Sequence, residues 1–154
     1  MWIVVKKIIK VFLVTLIVIL LTGCSSRKGS TPEEFKKIMS NKGYYVNDIT
    51  KQAFEKNIKA SLTANNKKYQ VEYYEYSSNK DAKNAYKVDV DMLKSGKNDK
   101  QTKKNSDSDN YSSYKVETKD KYSYVAVSGK TLIYIWADIE YKKEIEKIIN
   151  DLNY

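Results

Sequence analysis

Between residues 113 and 137 three apolar-rich stretches follow one another with room only for tight turns between them. They cover about 113–118, 122–128 and 131–137, with Asp120-Lys121 and Gly129-Lys130 at the two reversals. A parallel connection needs a crossover of a dozen or more residues, so strands this closely spaced are confined to an antiparallel meander. The third stretch, Leu132-Ile133-Tyr134-Ile135-Trp136-Ala137, is apolar at both alternations. It predicts the most buried strand, covered on each face.

The chain before the meander reads in the same terms. Thr31-Pro32-Glu33-Glu34 predicts a helix start with a capping box, and Phe35, Ile38 and Met39 give that helix one apolar face over about 32–41, stopped by Gly43. Tyr44-Tyr45-Val46 begins a short extended piece. Ile58, Ala60 and Leu62 alternate with polar residues, Asn65-Asn66 offers a turn with a left-handed residue, and Tyr69, Val71 and Tyr73 alternate on the return, which predicts a hairpin. Ser78-Asn79-Lys80-Asp81 resembles a second capping box. It opens a helix over about 79–94 with the stripe Ala82, Ala85, Tyr86, Met92 and Leu93, interrupted by Asp89 and closed by Gly96.

Residues 97–110 contain no apolar side chain, so 96–110 is expected to be an exposed, mobile loop. Its Asp107-Ser108-Asp109-Asn110 cluster lacks the glycine and distal glutamate of an EF-hand loop, so a solvated loop is expected there and no metal site. Tyr141, Ile145, Ile148, Ile149 and Leu152 mark a last helix, with Asp138 as its expected cap. The predicted order is α-β-β-α-β-β-β-α. That is an α+β domain, an antiparallel sheet of about five strands with helices packed against it.

The first 23 residues belong to a different kind of segment. Lys6, Lys7 and Lys10 precede an apolar run of 11 residues from 11 to 21. A membrane-spanning helix needs about 20 apolar residues, so this layout predicts a cleaved export signal. The run delivers Leu21-Thr22-Gly23-Cys24, which resembles the lipobox of bacterial lipoproteins: an aliphatic residue, two small ones, then cysteine. The resemblance implies cleavage between Gly23 and Cys24, a diacylglyceryl group on the Cys24 thiol, and fatty acyl chains of the palmitate type. Two chains hold a protein to a bilayer effectively for good, at about 0.8 kcal/mol per buried methylene. The expected organisation is a signal peptide over 1–23, a lipidated cysteine and polar tether over 24–30, and one α+β domain over 31–154.

Without the three lysines of the signal, the chain carries 25 basic against 19 acidic side chains, a balance of +6. Such a surface suits anionic lipid or an anionic wall polymer. Export and the interspersed charge argue against nucleic acid. There is no histidine, which excludes a Ser-His-Asp apparatus and a histidine-ligated zinc site, and Cys24 is the one cysteine, so no disulfide forms within the chain. No cofactor and no catalytic residue is assigned.

Tyrosine is abundant, with 14 in the chain. Tyr74, Tyr76, Tyr122 and Tyr124 fall on predicted strands and form a candidate binding surface, where aromatic rings would meet a glycan, peptide or protein. Core filling by strand-forming residues is the competing explanation. Carboxylates at Glu72, Glu75, Asp89, Asp91 and Glu117 could supply an acid and a base if two of them converge on one cleft.

The layout of the mature part, ending in the strand-and-helix unit after Thr131, also resembles small uncharacterised surface lipoproteins of Gram-positive bacteria. The resemblance implies a non-catalytic binding or accessory domain, lipid-anchored at the outer face of the cytoplasmic membrane. Its partner would be anionic lipid, wall polymer or a surface protein. Two alternatives are a small cell-wall hydrolase using paired carboxylates and an inhibitory lipoprotein.

Overall fold

A computed structural model of the chain describes residues 27–96, 102–108 and 110–154; the signal segment, Gly23 and Cys24 lie outside the described residues. In chain order the elements are α1 (Pro32–Asn41), β1 (Tyr45–Asp48), a 3-10 turn (Thr50–Gln52), β2 (Ile58–Asn65), β3 (Gln70–Tyr76) and α2 (Asn79–Ser95). They continue with β4 (Thr102–Ser108), β5 (Tyr111–Glu117), β6 (Lys121–Ser128), β7 (Thr131–Asp138), a second 3-10 turn (Ile139–Tyr141) and α3 (Lys142–Asp151). The strands form one sheet in the order β1-β2-β3-β7-β6-β5-β4, antiparallel at every step. Two meanders, β1 to β3 and β4 to β7, are therefore joined along the β3–β7 seam.

The α+β class is as expected, but the sheet has seven strands rather than about five. The additions are its two edges. β1 is the short extended piece after Tyr44, and β4 occupies the centre of the segment expected to be a mobile loop. β4 lacks apolar residues because an edge strand can be held by its backbone ladder, here from Thr102 opposite Glu117 to Ser108 opposite Tyr111, with added polar links from Ser112 Oγ to Asp107 and from Ser108 Oγ to Tyr111 O (3.2 Å). Such a strand carries no apolar pattern in its sequence.

The helix starts follow local chemistry. At α1, Glu34 N–H donates to Thr31 Oγ1 (3.2 Å) and Thr31 N–H donates to Glu34 Oε2 (2.8 Å), a complete capping box. At α2 the reciprocal half differs. Asp81 N–H donates to Ser78 Oγ (3.1 Å), but the shorter Asp81 carboxylate accepts from the Ser78 hydroxyl (2.6 Å). Asp138 does not cap the last helix; it ends β7 and pairs with Lys121, while α3 begins after the second 3-10 turn. In the β2–β3 turn the left-handed residue is Lys67 (φ 70°), because Asn65 and Asn66 act as side-chain acceptors for the N–H groups of Lys67, Lys68 and Tyr69.

The two faces of the sheet are covered unequally. On one, α1 and α3 bury Phe35, Met39, Ile145, Ile148 and Leu152 against Leu62, Val71, Tyr73, Tyr122, Ile133 and Ile135. On the other, α2 is the one helix among the described residues, and it packs Ala82 and Val90 against Tyr114, Val116, Val125, Val127 and Leu132. One 17-residue helix cannot cover seven strands. β7 is thus covered on both faces at Leu132 and Ile133, yet its far end is open, with Trp136 53% exposed. The expectation of full cover for β7 fails at that end.

Residues 27–30, expected as part of a free tether, are docked on the domain. Ser128 Oγ donates to Arg27 O (2.7 Å), Gly29 N–H to Asn153 O (3.2 Å), and Tyr73 OH to Ser30 O (2.9 Å). Gly29 adopts φ +64°, and a Cβ there would stand 2.6 Å from Thr131 Oγ1 and 2.8 Å from Tyr154 Cζ. Only glycine admits so close an approach. Arg27 lies over the Tyr111 ring at 5.2 Å and also donates to the carbonyl of Tyr154.

Candidate functional site

The expected tyrosine surface does not form. Tyr122 and Tyr124 point into the core under α1 and α3, Tyr76 is buried beneath α2, and Tyr74 is half-buried on the same face as Tyr76. The reason is strand alternation: the two pairs face opposite sides of the sheet. Core filling accounts for three of the four.

What the uncovered half of the α2 face provides instead is a groove of about 530 Å³ between α2, β3, β7 and the loop before β2. Its phenols are Tyr74, Tyr76 and Tyr134, its apolar lip is Ile58, Val88 and Met92, and four carboxylates enter it: Glu55, Glu72, Asp81 and Asp89. Among the described residues no lysine or arginine lines it. Val88 and Met92 are more than half exposed, one helical turn apart. The expected α2 stripe included Met92; in the structure Val90 takes the buried position and Met92 rotates to the lip.

The carboxylates differ in surroundings. Glu72 accepts from Tyr74 OH (2.7 Å) and Gln70 Nε2 (3.0 Å), and Asp81 is held by Ser78. Asp89 is half-buried, and its carboxyl is pushed up to about 6, first by burial and then by the negative charge of Glu72. Glu72 and Asp89 in turn push the phenols of Tyr74 and Tyr134 upward, after burial itself. The groove thus concentrates negative potential inside a chain that is otherwise basic.

A pH dependence follows. The folded Asp89 holds its proton to a higher pH than an unfolded aspartate, so its stabilising share is complete below the unfolded value of about 4 and is lost as pH rises through about 6. Asp89→Asn removes the cost of ionisation. At pH 7.5 the variant should be about 1–2 kcal/mol more stable than the parent, allowing for the carboxyl's partial exposure, with the gain vanishing below about pH 4. Thermal melts at the two pH values check this.

Beyond Glu72 and Tyr134 the open face continues into a second hollow of about 600 Å³, where Trp136 lies with Lys121 Nζ 4.3 Å above its ring. The two hollows share Glu72 and Tyr134. The second hollow is lined by Lys67, Lys68 and Lys121 as well as Glu72 and Asp138, so the aromatic surface along β3 and β7 is acidic only at the α2 groove.

The remaining carboxylates are accounted for elsewhere. Glu117 is paired with Lys142 (2.8 Å) and Lys115 (3.3 Å), which hold it below the usual carboxylate range. Glu75 shares the Tyr73 side of β3, and Asp91 lines a separate cleft with Lys87 and Lys94. Glu144 accepts from Tyr44 OH (2.9 Å) and Tyr69 OH (2.8 Å), tying α3 to the start of β1 and to the β2–β3 turn. Among the described residues no three His, Cys, Asp or Glu side chains are grouped to hold a metal, and no helix is long and apolar enough to cross a membrane.

Compared with known protein families, with curated proteins and with solved structures, the chain matches none. Glu72 and Asp89 stand among the five carboxylates noted in the sequence, where nothing local marks that they share a groove. The one available signal was Asp89 itself, an acid inside an otherwise apolar helical stripe.

Proposed function

We propose that the chain is an extracytoplasmic lipoprotein, anchored through Cys24, that binds a cationic and partly apolar ligand in the α2 groove. The observation that carries this reading is the groove's composition: four carboxylates, three tyrosines and an apolar lip, with no basic side chain among the described residues that line it. Carboxylates beside aromatic faces suit an ammonium or guanidinium group, and the lip suits the attached apolar stem. A lysine-rich peptide segment of a surface protein has this chemistry. The anchor would hold the groove close to the membrane, where such segments are met.

The test is a titration of the mature lipidated protein in detergent micelles with a fluorescent oligolysine peptide bearing one leucine, at low salt. The parent should bind, and Glu72→Gln with Asp89→Asn should weaken binding at least about tenfold, equivalent to about 1.4 kcal/mol. Equal binding by parent and double variant would remove the groove from the account.

A second reading has an observation of its own. Glu72 and Asp89 occupy unequal environments, one hydrogen-bonded and one with a raised carboxyl, the arrangement that separates a base from an acid in glycoside hydrolysis. Release of reducing sugar from purified wall polymer by the parent, abolished in the same double variant, would favour the hydrolase.

A further inference from the structure

The end of the sheet that receives the strap at residues 27–30 also carries the most exposed aromatic side chain among the described residues. Phe54 is fully exposed, in the loop between the first 3-10 turn and β2. Backbone bonds fix that loop at the strap end. Ser77 N–H donates to Asn57 O (2.7 Å), Tyr76 N–H to Lys130 O (2.9 Å), and Ser128, at the same β6–β7 reversal, donates to Arg27. Ile58, four residues after Phe54, stands opposite Tyr76 in the register.

The loop is also braced from its other side. Asp48 Oδ1 accepts from Thr50 N–H (3.1 Å) and Thr50 Oγ1 (2.7 Å), and Ser61 N–H donates to Thr50 Oγ1 (3.0 Å). Phe54 is thus held out into solvent by a braced loop rather than left over at a free end. A fully exposed phenylalanine on such a loop gains transfer free energy once it enters an apolar or interfacial medium.

We infer that this end of the domain lies on the bilayer, with Phe54 inserted among the lipid headgroups. The inference rests on the lipid anchor proposed above. Cys24 precedes Arg27 by three residues, at most about 10 Å of extended chain. Because the strap is docked from Arg27 onward, there is no further slack to let the domain swing away. Headgroup regions add several ångströms on each side of a bilayer's hydrocarbon core, so the Phe54 loop stands at the depth where aromatic side chains settle. Arg27, Lys28, Lys56 and Lys130 are exposed on the same end and suit anionic headgroups, although Glu33 at the start of α1 offsets part of that charge. Glu55, the acidic neighbour of Phe54, lines the groove, so the groove opens beside the membrane surface.

The test uses the lipidated protein in vesicles of phosphatidylcholine and phosphatidylglycerol, three to one. Cys24 is the one native cysteine and is acylated in this account, so an introduced thiol is the sole site for a nitroxide label. Labels are placed at Phe54→Cys and, as the control, at Tyr45→Cys, which is exposed at the opposite end of the sheet opposite Asn65. The expected result is a label at 54 shielded several-fold from a polar nickel chelate and open to oxygen, with the label at 45 freely accessible to the chelate. Equal chelate access at the two positions in vesicle-bound protein would overturn the orientation and leave the anchor standing; Phe54 would then be free for a soluble partner. Failure of the unlabelled protein to float with the vesicles, with Cys24 itself reactive, would overturn the anchor and this inference with it.

Discussion

Cys24→Ala should move the protein from the membrane fraction to the medium or leave it as an uncleaved precursor. The expected loss of the acyl label is close to complete in either case. Retention is assigned to acyl chains on one sulfur atom, two chains bind far more strongly than any surface patch, and a single apolar loop residue such as Phe54 cannot substitute for them. Fractionation of cells expressing the variant, with metabolic labelling by a fatty acid, reads both consequences. Normal processing, normal retention and retained label in the variant would remove the anchor from the account.

Ile133→Ala should cost about 3–4 kcal/mol, a large part of the roughly 5–15 kcal/mol that stabilises a domain of this kind. Ile133 is fully buried on β7 and stands opposite Tyr73 of β3 and Ala126 of β6. It therefore sits on the seam that joins the two meanders, where α1 and α3 close over the sheet. A cavity there is lined by rigid strands on both sides and has little capacity to collapse. The loss should appear as a single cooperative transition at a lower midpoint, by on the order of 10–15 °C, and not as separate melting of the two meanders. Urea and thermal unfolding followed by two probes, Trp136 fluorescence and far-ultraviolet dichroism, check this.

Elements defined by an apolar pattern and a local cap were legible in the sequence. The capping box at Thr31 and Glu34 places α1, and the turn residues before Tyr122 and Thr131 place the meander, because both signals are carried by neighbouring side chains. β4 was not legible, since most of its bonds to β5 are made by backbone groups that leave no mark in residue type. The docking of Arg27 to Ser30 is hidden because its partners, Ser128, Tyr73 and Tyr154, lie far away in sequence, and only Gly29, whose place no side chain can take, hints at it. The groove was half legible. Glu72 lies on a strand and Asp89 on a helix 17 residues later, and each alone looks like a solvated carboxylate. Their meeting depends on the angle at which α2 crosses the sheet, a property of packing with no local code. The rotation that turns Met92 outward and Asp89 partly inward is likewise set by how Val90 and Leu93 pack on the strands.

The raised carboxyl of Asp89 also has a meaning for stability. A stability gain in Asp89→Asn at pH 7.5 would mean that the ionised carboxylate costs the fold stability, which is the pattern of a binding group. A buried ion pair would have relieved it, and among the described residues no basic side chain lines the groove to provide one.

The most direct test of the central claim is the affinity of the lipidated protein for the oligolysine probe as a function of pH, measured for the parent and for Asp89→Asn. Protonation of Asp89 as pH falls through about 6 removes one negative charge from the groove. The account predicts that the parent's affinity drops between pH 7.5 and 5, while the variant binds more weakly at pH 7.5 and changes far less over the same range. Parallel curves for the two proteins, with equal affinity at pH 7.5, would contradict it.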